Sequence, residues 1–225
     1  MLKAINLHNI SLEQFKRLKY QAADKLGQLQ VPKLAAELLD DQSVDIWQRS
    51  DFMVQPAHYV FIEMLRQLLL PNFEKLKGVH IAAIYGLYLL YLKDACGVSN
   101  TLGVDISQFN TRVAAEVGAP VIRADAMQLP VADQSLDFVI SFHLMELGYM
   151  KLDSIDAILG EINRVLKPGG IFLSELESFN DRDVYLEQWA SLGNTTLGVK
   201  TSLFSQEISK IYPLNLLYVR AFRKE

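Results

Sequence analysis

The sequence predicts an α/β fold built on a mostly parallel sheet, and three observations carry that prediction. Short apolar runs at 101–104, 120–123 and 136–142 each stop at or near a polar residue. A helical pattern at 153–166 places Ile155, Ile158, Leu159, Ile162, Val165 and Leu166 on one stripe. That pattern meets Lys167-Pro168-Gly169-Gly170, a helix stop, and another apolar run, Ile171 to Leu173, follows directly. Strands alternating with helices require right-handed crossovers, hence a parallel sheet.

Composition sets the outer limits. A chain of 225 residues suffices for one sizeable α/β domain with a helical extension, or for two small domains. Half of the residues are apolar and 21% are charged, the balance of an ordinary globular protein. The formal net charge is −4 and no Lys/Arg run stands out, so no nucleic-acid partner is expected. The single cysteine, Cys96, fits a reducing, cytoplasmic setting, and no Cys/His spacing suggests a metal. His8 and His80 have no ligand-like neighbours in the sequence. The first ten residues mix Lys3, Asn6, His8 and Asn9 with apolar ones, so no targeting segment is expected. The longest apolar run, 79–92, contains His80 and Gly86 and is shorter than the roughly 20 residues of a membrane span; no membrane partner is expected.

Taken in order, residues 1–74 read as an N-terminal helical cap. Leu12, Phe15, Leu18 and Ala22 share a face, Pro32 interrupts, and 33–39 suggests a short second helix. Pro56 suits the first turn of a helix over 57–70, in which Phe61, Met64, Leu65 and Leu68 repeat at helical spacing. Trp47, His58 and Tyr59 read as packing residues of this cap. The α/β domain then occupies 75–225. A strand over 79–84 and a helix over 87–92 open it, and 96–100 is a turn. The strand at 101–104 ends at Asp105. Ser107 caps a helix through Val117, with Val113, Ala114 and Val117 inward. The strand at 120–123 ends near Asp125, and 130–135 is a loop. The nearly all-apolar 136–142 reads as a strand covered on both faces. Asp153 caps the striped helix, 183–192 is a further helix, and 216–222 is a last strand whose charged end suggests a sheet edge.

The run from LPVADQSLDFVIS to EINRVLKPGGIFLSE is the most specific part of the chain. It resembles the class I S-adenosylmethionine-dependent methyltransferases, in particular the small-molecule, type 11-like branch. The resemblance covers about 75–173, more weakly the last strand. It implies a Rossmann-like, doubly wound sheet, with S-adenosylmethionine across the strand ends. On that resemblance Asp105 takes the ribose hydroxyls, Asp125 and Ala126 meet the adenine, and Ile106 and Met127 flank its faces. Tyr85 and Gly86 fall in the turn that faces the cofactor. His143 and Glu146 follow the fourth strand, where His143 is a candidate base and Glu146 a candidate for orienting a substrate. The fingerprint G-x-G-x-x-G is absent, which argues against a nicotinamide dehydrogenase.

The family's first motif is an acidic residue ending the first strand, then glycines at alternate positions. Here the matching stretch is Val79-His80-Ile81-Ala82-Ala83-Ile84-Tyr85-Gly86-Leu87-Tyr88. One register puts Ile81 at the acid and Ala83, Tyr85 and Leu87 at the glycines. The other puts Ala82 at the acid and Ile84, Gly86 and Tyr88 at the glycines. Neither keeps the acid. Tyr85, Tyr88 and Tyr91 could then fill the cofactor pocket from within. The first expectation is a methyltransferase acting on a small molecule. The alternative is a non-catalytic relative, a pseudoenzyme that has lost cofactor binding and serves a protein partner as scaffold. A third reading gives the tyrosine-rich stretch to another nucleotide or an apolar ligand.

Overall fold

A computed structural model describes residues 73–141, 152–175, 182–197 and 219–225. The helical cap expected over 1–74 lies almost wholly outside them, as do His143 and Glu146.

The described chain forms a seven-stranded sheet. After a short 3-10 turn at Phe73–Lys75, the strands are β1 (Lys77–Ile81), β2 (Asn100–Asp105), β3 (Val121–Arg123), β4 (Leu136–Ser141), β5 (Leu166–Glu175), β6 (Thr195–Leu197) and β7 (Val219–Arg223). The helices are α1 (Leu87–Cys96), α2 (Gln108–Glu116), α3 (Leu152–Val165) and α4 (Arg182–Ser191). The sheet order is β3-β2-β1-β4-β5-β7-β6. Pairing is parallel from β3 through to β5, and β7 runs antiparallel to both of its neighbours. This is the Rossmann-like, mostly parallel architecture expected from the sequence.

The order reverses at β1. From there the chain winds outward to β2 and β3, then returns to β4 on the other side. Such a switch point opens a crevice at the carboxyl ends of the strands. Here those ends are Ile81, Asp105, Arg123 and Ser141.

Both faces of the sheet are covered. On one, the predicted stripe is buried throughout, five of its residues on α3 and the sixth, Leu166, not on the helix but at the start of β5, and it packs with Val79, Ile81, Val104, Val139 and Phe172. Trp189 of α4 joins them, its ring 5.8 Å from that of Phe172 and 5.6 Å from that of Phe222. On the other face, α1 comes close to β2. A Cβ at Gly103 would lie 2.7 Å from the Ala83 Cβ and 2.8 Å from Leu89 Cδ1, so only a glycine permits this approach. Ser107 caps α2 as expected, its Oγ accepting from the Asn110 N–H at 3.2 Å. Val113 and Ala114 are buried, while Val117 is half-buried.

Three expectations change. The last strand is not the sheet edge: β6 pairs with its outer side, and the edge strands are β3 and β6. The three-residue β6 is too short to give a period-2 signal, so it was not legible. Lys167-Pro168-Gly169-Gly170 does not merely stop a helix. It is part of β5, with a register shift between Leu136 and Phe138 on β4 absorbing the extra residues. Gly169 takes φ 80°, and Gly169 and Gly170 exchange backbone hydrogen bonds with Lys224. The Lys224 ammonium also donates to the Asn163 and Leu166 carbonyls at 2.7 and 2.8 Å, satisfying the end of α3. Finally, α3 begins at Leu152, so Asp153 sits in its first turn rather than at its cap, where its charge still favours the helix dipole.

Among the described residues, no helix is long and apolar enough to cross a membrane. Within them, no cluster of His, Cys, Asp and Glu side chains could hold a metal ion.

Candidate functional site

The carboxyl ends of β1, β2 and β3 enclose a cavity of about 200 Å³. Its walls include Asp105, Ile106, Asp125, Ala126 and Met127, five of the residues singled out by sequence. Ile81, Ala82, Val104 and Ala124 complete the strand side, and Ser154 and Ile158 of α3 close it. The cavity is smaller than the roughly 300–1,000 Å³ of pockets that enclose a drug-sized ligand. It is sized for one part of a cofactor-like molecule.

Asp105 ends β2 and is buried. Its Oδ1 accepts from the Ser107 N–H at 2.9 Å and from the Asn110 side-chain amide at 3.1 Å. Its Oδ2 accepts from the Ile84 N–H at 2.9 Å. The Asp105 carbonyl also accepts from the Ala124 N–H at 3.1 Å, which fixes the strand end beside β3. A carboxylate so held points in one direction only.

Asp125 makes a local turn. Its Oδ1 accepts from the Met127 N–H at 2.8 Å and its carbonyl from the Gln128 N–H at 3.1 Å. The following loop is held from α3. Glu161 accepts from the Leu129 N–H at 2.7 Å, and Arg164 donates to the Leu129 and Val131 carbonyls, to Glu161 and to Asp133. The Arg164 hydrogen bond holds the Glu161 carboxyl below the usual carboxylate range, and Glu161 and Asp133 push the guanidinium up in turn. Ile106 and Met127 line the cavity and remain exposed.

The loop from β1 to α1 departs from both registers anticipated for it. Its left-handed residues are Ala82 (φ 55°), Ile84 (φ 51°) and Gly86 (φ 67°), at alternate positions. A glycine-type turn is therefore present in shape, with side chains on two of its three left-handed positions. Counting back two residues from Ala82 puts His80 where the acid would stand, not Ile81 or Ala82. Neither Tyr85 nor Tyr88 occupies a left-handed position. Sequence reasoning missed this register because a β-branched residue with positive φ is a rare outlier that no pattern anticipates. A Cβ at Gly86 would lie 2.5 Å from Val121 Cγ2 and 2.6 Å from the Ala119 Cβ. The third position therefore stays glycine for steric as well as backbone reasons.

Tyr85 and Gly86 stand apart from the residues that line the cavity. Tyr85 is buried edge-on to Phe109 of α2, with ring centroids 6.2 Å apart. Burial, then the nearby Asp105 charge, push its phenol well above the usual tyrosine range, so it is neutral at physiological pH. Tyr88 is buried edge-on to His80, with centroids 5.5 Å apart. Both tyrosines thus belong to the packing between α1, α2 and the sheet. Ile84, Asn110, Ser154 and Ile158 were not foreseen as site residues. Only Ile158 carried a signal, as part of the buried stripe of α3.

A family model for a methyltransferase domain matches residues 79–174. No curated protein sequence matches the chain. Solved structures do. An S-adenosylmethionine-dependent methyltransferase from Mesorhizobium loti is 16% identical, with a TM-score of 0.59 over 75% of this chain and 98% of that one. A possible histamine N-methyltransferase from Thermotoga maritima is 20% identical, with a TM-score of 0.56 over 81% of this chain and 96% of that one. Geranyl diphosphate C-methyltransferase from Streptomyces coelicolor, solved with S-adenosyl-L-homocysteine, is 14% identical, with a TM-score of 0.53 over 74% and 79%. At these identities the structures speak for the fold, and the matched model speaks for the domain. Over residues 79–174 the chain is similar to methyltransferase domains, and its fold is the one these S-adenosylmethionine-dependent methyltransferase structures share.

Proposed function

We propose that the chain is a cytoplasmic methyltransferase that takes S-adenosylmethionine and acts on a small molecule. The observation that carries this reading is that Asp105, Ile106, Asp125, Ala126 and Met127 line one and the same cavity. Its chemistry suits the adenosyl end of the cofactor. Asp105 offers a fixed carboxylate for ribose, Asp125 an acceptor for an exocyclic amino group, and Ile106 and Met127 apolar surface for a ring. When bound, the cofactor supplies a methyl group that is already electrophilic. The protein's task is then chiefly alignment, with a base where the acceptor must lose a proton. In this reading His143 serves as that base and Glu146 orients the acceptor.

A second reading has a specific observation behind it. Ala82 and Ile84 stand at left-handed positions, and His80 stands where an acid would. Both features weaken the part of the turn that would meet the amino-acid end of the cofactor. A non-catalytic relative that serves a protein partner would retain such features without cost.

Calorimetry with S-adenosylmethionine and S-adenosylhomocysteine separates the two. Saturable binding, lost or weakened about tenfold in Asp125→Asn, supports the enzyme reading. That variant keeps the Oδ1 acceptor of the local turn and removes the charge. No heat and no thermal shift at millimolar cofactor sinks it.

A further inference from the structure

We propose that Asp105 offers a ligand one hydrogen-bond acceptor rather than two, and that Asn110 is the residue that closes the other. This rests on the reading of the cavity as an adenosyl site and deepens it.

A carboxylate has two oxygens and about four lone-pair sites. At Asp105 three of them are taken. Oδ1 accepts from the Ser107 N–H at 2.9 Å and from Asn110 Nδ2 at 3.1 Å, and Oδ2 accepts from the Ile84 N–H at 2.9 Å. Two of these donors are backbone groups fixed by the entry into α2 and by the β1–α1 loop. The third is a side-chain amide on the first turn of α2. With Asp105 only 6% exposed, the carboxylate has little freedom to turn toward a ligand. A ribose presents two neighbouring hydroxyls. One can donate to the open site on Oδ2. The other finds Oδ1 already saturated and can reach it only by displacing the Asn110 amide. Asn110 thus acts as a specificity-determining residue: it makes recognition of the ribose depend on one hydroxyl.

The test compares S-adenosylhomocysteine with its 2′-deoxy and 3′-deoxy forms by calorimetry, on the wild-type chain and on Asn110→Ala. In the wild type, one deoxy form is expected to bind about tenfold or more weakly, and the other within about twofold of the parent. In Asn110→Ala the parent tightens, and the deoxy form that had been tolerated now loses about tenfold against it. A merely structural role for Asn110 would weaken all three ligands together. The inference is overturned if both deoxy forms lose equally in the wild type, or if neither loses. It is also overturned if Asn110→Ala leaves the pattern unchanged. Should Asn110→Ala fail to fold, Asn110→Leu and the wild-type comparison still decide. If S-adenosylhomocysteine does not bind the wild type at all, the adenosyl reading falls as well, an outcome distinct from the others.

Discussion

The backbone N–H of Ile84 donates to Oδ2 of Asp105 at 2.9 Å, across 21 residues of sequence. This bond ties the β1–α1 loop to the end of β2, so the same carboxylate that faces the cavity also holds the loop beside it.

Asp105 therefore has a structural duty besides any ligand it takes. Replacing it with alanine removes the acceptor of the Ile84 and Ser107 N–H groups and of the Asn110 amide. We expect Asp105→Ala to lose roughly 2–4 kcal/mol of stability, read as a lower urea midpoint with an unchanged slope. Lost ligand binding in that variant would report folding as much as recognition, which is why Asp125→Asn is the sharper probe.

Backbone strain in the loop gives a prediction of opposite sign. Ala82 is held at φ 55°, a conformation that costs an L-residue about 1–2 kcal/mol. Glycine adopts it without that cost but loses about 0.5–1 kcal/mol through its freer unfolded chain. Ala82→Gly should thus stabilise the protein by roughly 0.5–1 kcal/mol. A midpoint that falls instead would mean that the alanine methyl contributes more by packing than the strain costs.

Gly86 should not tolerate even a methyl group. A Cβ there meets Val121 and Ala119 at 2.5 and 2.6 Å while φ stays at 67°. Overpacking and strain together put Gly86→Ala at about 2–4 kcal/mol of destabilisation. Thermal melts of Gly86→Ala beside Ala82→Gly would show shifts of opposite direction within a single loop.

The Glu161–Arg164 clamp predicts a pH dependence. Its hydrogen bond with Arg164 lowers the Glu161 pKa in the folded state below its unfolded value. The unfolded chain therefore binds the proton first. The stabilising contribution is fully present above the unfolded pKa and is lost as pH falls through the folded one. Urea melts of wild type and Glu161→Gln should differ most near neutrality and converge on acidification. A gap that stays constant with pH would remove the charge as its cause.

Much of the fold was legible because its signals are local. The α3 stripe follows from helical spacing, and its five members on the helix are buried, while Leu166, expected with them, opens β5. Ser107 was readable as a cap, and Asp105 and Asp125 as polar ends of apolar runs. The β1–α1 loop was not legible in the same way. Its register rests on left-handed conformations at Ala82 and Ile84, residues whose own preference is against them. The place of β7 was likewise hidden, since β6 carries too few residues to mark itself.

By itself the sequence determined most of the elements and their order up to β5, and the stripe that buries α3. These depend on periodicity and on chain neighbours, which a sequence displays directly; the five residues around the cavity were reached through the family resemblance. Only the tertiary structure decided that His80 stands two residues before the first left-handed position, that both tyrosines pack away from the cavity, and that three of the acceptor sites of Asp105 are already occupied. Each of these depends on groups brought together across the sheet edge. Ile84 meets Asp105 only because β1 and β2 lie side by side in register.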